Sequence, residues 1–141
     1  MYGTKQHGDG NIRRDMPGGW HSDKANFFDA HGRSPLQNHF WDFLSTLLRW
    51  RRGNEVIAKG AMTHFVPSNG VYVYARTTPA AGVLILINGT DSSKEIKLNE
   101  YNEVLQGTDT FEDILTHKEI TRHDGHVTLG KRGVRVLTWK K

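Results

Sequence analysis

Carboxylates are the first side chains to consider here, because paired acidic residues can carry general acid–base chemistry. Asp9, Asp15 and Asp23 lie in a glycine-rich stretch near the N-terminus. Bond cleavage by two carboxyl groups requires that a rigid cleft hold them face to face, and no spacing in this stretch pairs the three aspartates. We therefore expect each of them to cap a loop or to join an ion pair.

Histidine is the next candidate, since the chain has eight histidines and no cysteine. His123 and His126 flank a turn, but no cysteine or carboxylate triad completes a set of metal ligands around them. We interpret them as solvated turn residues and predict no metal. The sequence also lacks a glycine-rich phosphate loop and a Gly-x-Ser-x-Gly nucleophile elbow, and we predict no cofactor.

Aromatic side chains offer a possible binding surface. Tyr72, Tyr74 and Trp139 are spaced on candidate strands and could form a platform on which a sugar ring stacks. The alternative is that they pack against their neighbours, which is the commoner role of aromatic residues on a strand face. The sequence leaves both alternatives open.

Basic residues give a weaker signal. The net charge is +4, and Arg49, Arg51 and Arg52 form a cluster that could bind an anion. The cluster also suits the negative C-terminal end of a helix, which we favour. No motif interleaves aromatic and basic residues, so we do not predict nucleic acid as a partner.

No apolar run approaches the roughly 20 residues of a membrane-spanning helix, so we do not predict a membrane partner. The N-terminus lacks the apolar region of a secretory signal.

One helix is predicted over residues 35–52. Ser34 is a favourable N-cap and Pro35 a favourable first helical residue, while Gly53 ends the helix. Apolar residues recur at spacings of three and four, as on a helix with a wide apolar side. Residues 1–35, by contrast, are rich in glycine, histidine and charge and have no apolar period.

After residue 54 the apolar residues recur at every second position, which indicates strands. Residues 71–88, VYVYARTTPAAGVLILIN, predict a central hairpin whose second strand is buried on both faces. The other predicted strands are short and lie at residues 55–59, 61–66, 95–98, 103–105, 110–115, 119–121, 127–129 and 134–139. The predicted fold class is mostly β, an antiparallel Greek-key sandwich of about eight strands.

Two stretches resemble a known enzyme family. Residues 2–20, YGTKQHGDGNIRRDMPGGW, resemble the segment that follows the last barrel strand in α-amylase-type enzymes of glycoside hydrolase family 13. Residues 47–76, LLRWRRGNEVIAKGAMTHFVPSNGVYVYAR, resemble the last barrel helix, its junction and the first strands of the C-terminal β-sandwich. The Asp15-to-Trp20 form looks most like the neopullulanase and cyclomaltodextrinase branch of starch-utilising gut bacteria. Lys5 departs from the pattern, which usually has Glu.

The resemblance implies two parts and a non-catalytic role. Residues 1–53 would be a remnant of the catalytic barrel and residues 54–141 the all-β domain. The family's nucleophilic Asp, acid/base Glu and third Asp lie on barrel strands that would precede Met1. We therefore expect a C-terminal, stabilising portion of an α-glucan-degrading glycoside hydrolase, inactive alone. A periplasmic or cytoplasmic location in a bacterium is what the resemblance implies.

The resemblance also implies candidate contacts. Arg13, Asp15 and Trp20 would lie at the barrel rim near the substrate cleft. The apolar helix of residues 35–52 would lack its barrel partner, and we expect self-association through it. The alternative function is an α-glucan-binding sandwich module that uses Tyr72, Tyr74 or Trp139.

Overall fold

The computed structural model describes residues 8–13 and 15–140. The chain divides into two compact units, Met1–Leu48 and Arg49–Lys141. None of the helices in the described part of the chain is long and apolar enough to cross a membrane.

The first unit contains two 3-10 turns, Asp9–Ile12 and Ala30–Gly32, and most of helix α1, Pro35–Arg52. A reciprocal pair of hydrogen bonds starts the helix. The Gln37 N–H donates to Ser34 Oγ at 3.3 Å, and the Ser34 N–H donates to Gln37 Oε1 at 2.7 Å. This capping box satisfies two amide groups that the first turn leaves unpaired. The predicted helix is confirmed with its bounds.

The second unit is an antiparallel β-sandwich of eight strands, which confirms the predicted fold class. One sheet has six strands in the order β1-β2-β3-β8-β5-β6, and the other pairs β4 with β7. This unit has two further helices, α2 (Glu55–Lys59) before the first strand and α3 (Asn102–Leu105) between β4 and β5. The strands are β1 (Ala61–His64), β2 (Val71–Thr77), β3 (Ala81–Asn88), β4 (Lys94–Lys97), β5 (Thr110–Asp113), β6 (Lys118–Thr121), β7 (His126–Leu129) and β8 (Val134–Lys140).

Strand β3 lies in the middle of the larger sheet, between β2 and β8. Leu84 and Leu86 point into the core between the two sheets and are fully buried. Val83 and Ile85, on the other face, are 0% and 7% exposed, and helix α2 packs against the strand. The predicted hairpin and its strand buried on both faces are therefore confirmed, although Ile87 at the end of the run is 38% exposed.

Three of the described polar side chains are buried in the sandwich, Asn88, Thr108 and Asp113. The Thr108 hydroxyl has no hydrogen-bond partner among the described residues, whereas the other two side chains are satisfied. The Asn88 Nδ2 donates to the carbonyl groups of Ser92 and Gly130, and its Oδ1 accepts from the Thr90 N–H at 2.9 Å. Asp113 is fully buried and accepts from Arg135 Nη1 at 2.7 Å. Burying such groups without partners would cost about 1–3 kcal/mol each.

Two predicted strands are wrong, because local polar contacts override the apolar period. Residues 55–59 form helix α2, whose first turn is capped by Asn54 Oδ1 accepting from the Ile57 N–H at 3.2 Å. Residues 103–105 lie in helix α3, where the neighbours Val104 and Leu105 are both buried, as they would not be on an alternating strand. Strand β1 also ends at His64, short of residue 66.

Gly82 and Trp139 face each other across β3 and β8, and the indole ring fills the space beside the glycine. A Cβ atom added to Gly82 would overlap that ring. Trp139 is held from its other side by Phe111, edge to face, with ring centroids 5.7 Å apart. The close approach of this ring to the β3 backbone therefore requires glycine at position 82.

We expect Gly82→Ala to destabilise the sandwich by about 1–3 kcal/mol, since the ring must move out of a packed core. The free energy of unfolding is measured by urea titration followed by tryptophan fluorescence. Gly130→Ala is the matched control, because no atom lies within 4 Å of a Cβ at that position. Its effect should stay within about 0.5 kcal/mol, and equal losses in the two variants would contradict the packing argument.

Candidate functional site

The segment that carries three of the candidate residues is organised by side chains rather than by an apolar core. Asp23 Oδ2 accepts from the Gly18 N–H at 2.7 Å and from the Trp20 N–H at 3.0 Å. Gly18 has φ 116°, a conformation that favours glycine. The bonds from Gly18 and Trp20 hold the pKa of the Asp23 carboxyl below its ordinary 3.8, so it stays ionised at neutral pH. Loop capping, the role expected for Asp23, is what the structure shows.

Arg33 joins this segment to helix α1. Its Nη1 donates to the Phe27 carbonyl at 2.7 Å, and its Nε donates to Asn38 Oδ1 at 2.8 Å. The guanidinium also lies 4.2 Å from the ring centroid of Trp41, as in a cation–π contact. One side chain thus fixes the loop, the start of the helix and an aromatic ring at the same time.

An apolar groove of about 780 Å³ lies between one side of helix α1 and the residues Ile12, Asp15, Met16 and Pro17. Phe40, Phe43 and Leu44 line it from the helix, and they are 65%, 41% and 53% exposed. Asp15 is the one carboxyl group among its described lining residues. The groove is therefore a large apolar surface with few of the polar and ionisable groups that bond cleavage needs.

The structure does not bring Arg13, Asp15 and Trp20 together as one cluster. Within residues 8–13 and 15–140, no hydrogen bond or ion pair joins their side chains. Asp15 is exposed at the groove, whereas Trp20 is 73% exposed beside Asp23 at a different depression. Arg13 is exposed and lines neither. Residues 2–5 of the resemblance lie outside the described residues.

The residues that order this segment were not singled out by the sequence. Arg33 and Asn38 make contacts across five to eight positions, and such pairings leave no periodic signal. The one available cue was local, namely Ser34-Pro35 at the helix start, which placed Arg33 next to the cap.

The three sandwich aromatics lie on two different faces. Tyr72 and Tyr74 are half-buried on one face of the large sheet, with ring centroids 5.6 Å apart and ring planes at 26°. Trp139 pairs with Gly82 and Leu137 with Leu84, so Trp139 belongs to the core face. It is 4% exposed. The three rings therefore do not form one platform, because strand register places Trp139 inside.

The two histidines of the predicted turn, His123 and His126, are both exposed. His126 Nε2 is 3.5 Å from Glu95 Oε2, and both side chains are more than half exposed. His123 is exposed in a 3-10 turn, Arg122–Asp124. In the part of the chain that the structure describes, no three His, Asp or Glu side chains gather as metal ligands.

Comparison with solved structures identifies the same architecture in α-amylases. An Anoxybacillus α-amylase is 18% identical with a TM-score of 0.63, and the match covers 90% of this chain and 26% of that enzyme. The Geobacillus thermoleovorans α-amylase, solved with acarbose, is 19% identical with a TM-score of 0.60, covering 78% and 24%. AmyP, solved with maltose, is 16% identical with a TM-score of 0.63, covering 74% and 21%.

These identities establish likeness of fold alone, and the chain spans about a quarter or less of each enzyme. A family model adds the specific assignment. The model of the cyclomaltodextrinase C-terminal domain matches residues 62–138, from β1 to β8 of the sandwich. Since this match spans more than half of the 141 residues, the chain belongs to the cyclomaltodextrinase C-terminal domain family.

Proposed function

We propose that this chain is the non-catalytic C-terminal portion of an α-glucan-degrading glycoside hydrolase. The observation that carries the proposal is the family match over the whole sandwich. The neopullulanase and cyclomaltodextrinase branch, a bacterial source and a role in starch breakdown are the finer parts of the proposal. The Asp-Met-Pro-Gly-Gly-Trp motif at residues 15–20 supports the branch.

An α-glucan is the proposed substrate of the longer enzyme. AmyP was solved with maltose and the Geobacillus thermoleovorans enzyme with acarbose. Both ligands are compatible with the branch that the N-terminal motif resembles.

Residues 1–53 are proposed as the end of the catalytic barrel and residues 54–141 as the domain that stabilises it. The apolar groove and the exposed side of helix α1 support this division. A monomer rarely leaves so many large apolar side chains in water, so the rest of a barrel is the occupant that we assign to this surface. Arg13, Asp15 and Trp20 are proposed to lie at the rim of that barrel.

We expect no hydrolysis by this chain alone, because the described lining of its groove has one carboxyl group where glycoside cleavage uses two. The purified chain is incubated with maltooligosaccharides, cyclomaltodextrins and pullulan, and reducing sugar is measured. An intact cyclomaltodextrinase is the positive control. Release of reducing sugar that Asp15→Asn abolishes would contradict the proposal.

Self-association of the isolated chain is expected from the same surface, since a second copy can cover what the barrel would cover. Light scattering should give a mass above 16.0 kDa that rises with protein concentration. Phe40→Glu with Leu44→Glu should restore the monomer by placing charge on the apolar side. Thr46→Glu, at an exposed helix position, is the matched control and should leave the mass unchanged. A wild-type monomer at high concentration would contradict the proposal.

A glucan-binding sandwich remains the second candidate function. The half-buried pair of Tyr72 and Tyr74 favours it, since two rings at 26° offer a nearly continuous surface. Trp139 takes no part in this candidate, because its ring is buried in the core.

A further inference from the structure

A second concave surface lies within the sandwich, where β4 comes near the connection between β1 and β2. This edge cleft has a volume of about 280 Å³. The residues that line it are Phe65, Val66, Ser68, Asn69, Val71, Val73, Lys94, Glu95, Ile96, Glu100 and Tyr101. All belong to the second unit, so the cleft is formed by one compact body.

The floor of the edge cleft is apolar and rigid. Val71, Val73 and Ile96 are core residues with exposures of 7%, 3% and 8%. Phe65 and Tyr101 pack against this core and contact each other edge to face, with centroids 4.7 Å apart and ring planes at 81°. In such a pair one ring contributes its edge, so this contact does not use the faces of that ring.

The rim of the cleft is polar, and most of its side chains make no hydrogen bond or ion pair with the described part of the protein. Ser68, Asn69, Lys94 and Glu100 make no side-chain hydrogen bond or ion pair with any of the described residues. Glu95 differs, because its carboxylate accepts from Thr128 Oγ1 at 2.8 Å. The free groups of the rim are thus a hydroxyl, an amide, an ammonium and a carboxylate, which together donate and accept hydrogen bonds and carry no net charge.

The electrostatics favour a neutral ligand. Lys94 and Glu100 cancel, and Glu95 adds a negative charge at the outer rim, so an anion such as phosphate would find no cationic cluster. Partial burial and the Glu100 carboxylate raise the pKa of Tyr101 above its ordinary 10.0, which keeps the phenol protonated as a donor at neutral pH. A wholly apolar ligand would leave the rim groups unpaired, at a cost in free energy.

A pyranose ring satisfies all of these conditions. Its C–H face is apolar and packs on an aromatic ring, while its ring of hydroxyl groups both donates and accepts hydrogen bonds. The volume is just below the roughly 300–1,000 Å³ of sites for drug-sized ligands, which suits one sugar ring rather than a chain. We propose that the edge cleft binds a single glucopyranose unit of an α-glucan, through Tyr101 or Phe65 and the rim groups Asn69, Lys94 and Glu100. The sugar class follows from the cleft, and the choice of glucose rests on the proposed function.

The test is a titration of the full chain with maltose, followed by amide chemical shifts in two-dimensional NMR. Shifts are expected to concentrate at residues 65–71 and 94–101. Tyr101→Ala should weaken maltose binding about tenfold if that ring stacks. Because Tyr101 also packs on the core, Glu100→Gln and Asn69→Gly, at exposed positions, provide variants that keep the fold, and each should weaken binding several-fold. Glycine is chosen at position 69 because Asn69 has φ 50°, a conformation that strains alanine. Lys131→Ala, at an exposed position outside the lining of the cleft, is the control and should bind as the wild type does.

The outcomes separate the two proposals. No shift at the cleft with any sugar overturns the site, whereas the proposed function is judged by the reducing-sugar assay. Shifts with cellobiose or lactose but none with maltose overturn the α-glucan assignment. Shifts at Tyr72 and Tyr74 that Glu100→Gln leaves unchanged overturn the edge cleft in favour of the sheet surface.

Discussion

The burial of strand β3 on both faces is the constraint on which the rest of this molecule depends. Four consecutive apolar residues, Val83 to Leu86, leave no side of the strand that can face water. Neighbours in β2 and β8 complete its hydrogen bonds, the small sheet with helix α3 covers one face, and helix α2 packs on the other. The close fit of Trp139 against Gly82 is part of the same requirement, because a central strand with no exposed side needs tight contacts along its whole length.

The sequence predicted what has a regular period. The hairpin at residues 71–88, helix α1 and most of the late strands repeat apolar residues every second or every third to fourth position, and the structure confirms them. Prediction from the sequence failed where a single polar contact decides the conformation of the backbone. Asn54 caps a short helix at residues 55–59, and Arg122 donates to the Leu105 carbonyl at 3.2 Å at the end of another. For Trp139 the sequence left packing and sugar stacking open for a related reason, since the face of a strand residue depends on register with its neighbours.

The candidate site could be predicted only in outline. Resemblance predicted a rim loop at residues 5–20. The side chains that order its described part, above all Arg33, act through pairings that no spacing reveals. The two units consequently differ in what stabilises them. The sandwich is held by apolar burial around β3, and the loop before helix α1 is held by a handful of hydrogen bonds around Asp23 and Arg33.

The central claim is that the sandwich is a self-sufficient unit organised on β3, to which a less stable segment is attached. Native-state hydrogen exchange of the full chain, resolved amide by amide, tests this claim most directly. The account predicts that the slowest amides belong to β3 and its partners in β2 and β8, and that residues 15–33 exchange faster by orders of magnitude. Equal protection of residues 15–33 and β3, or fast exchange throughout β3, would contradict it.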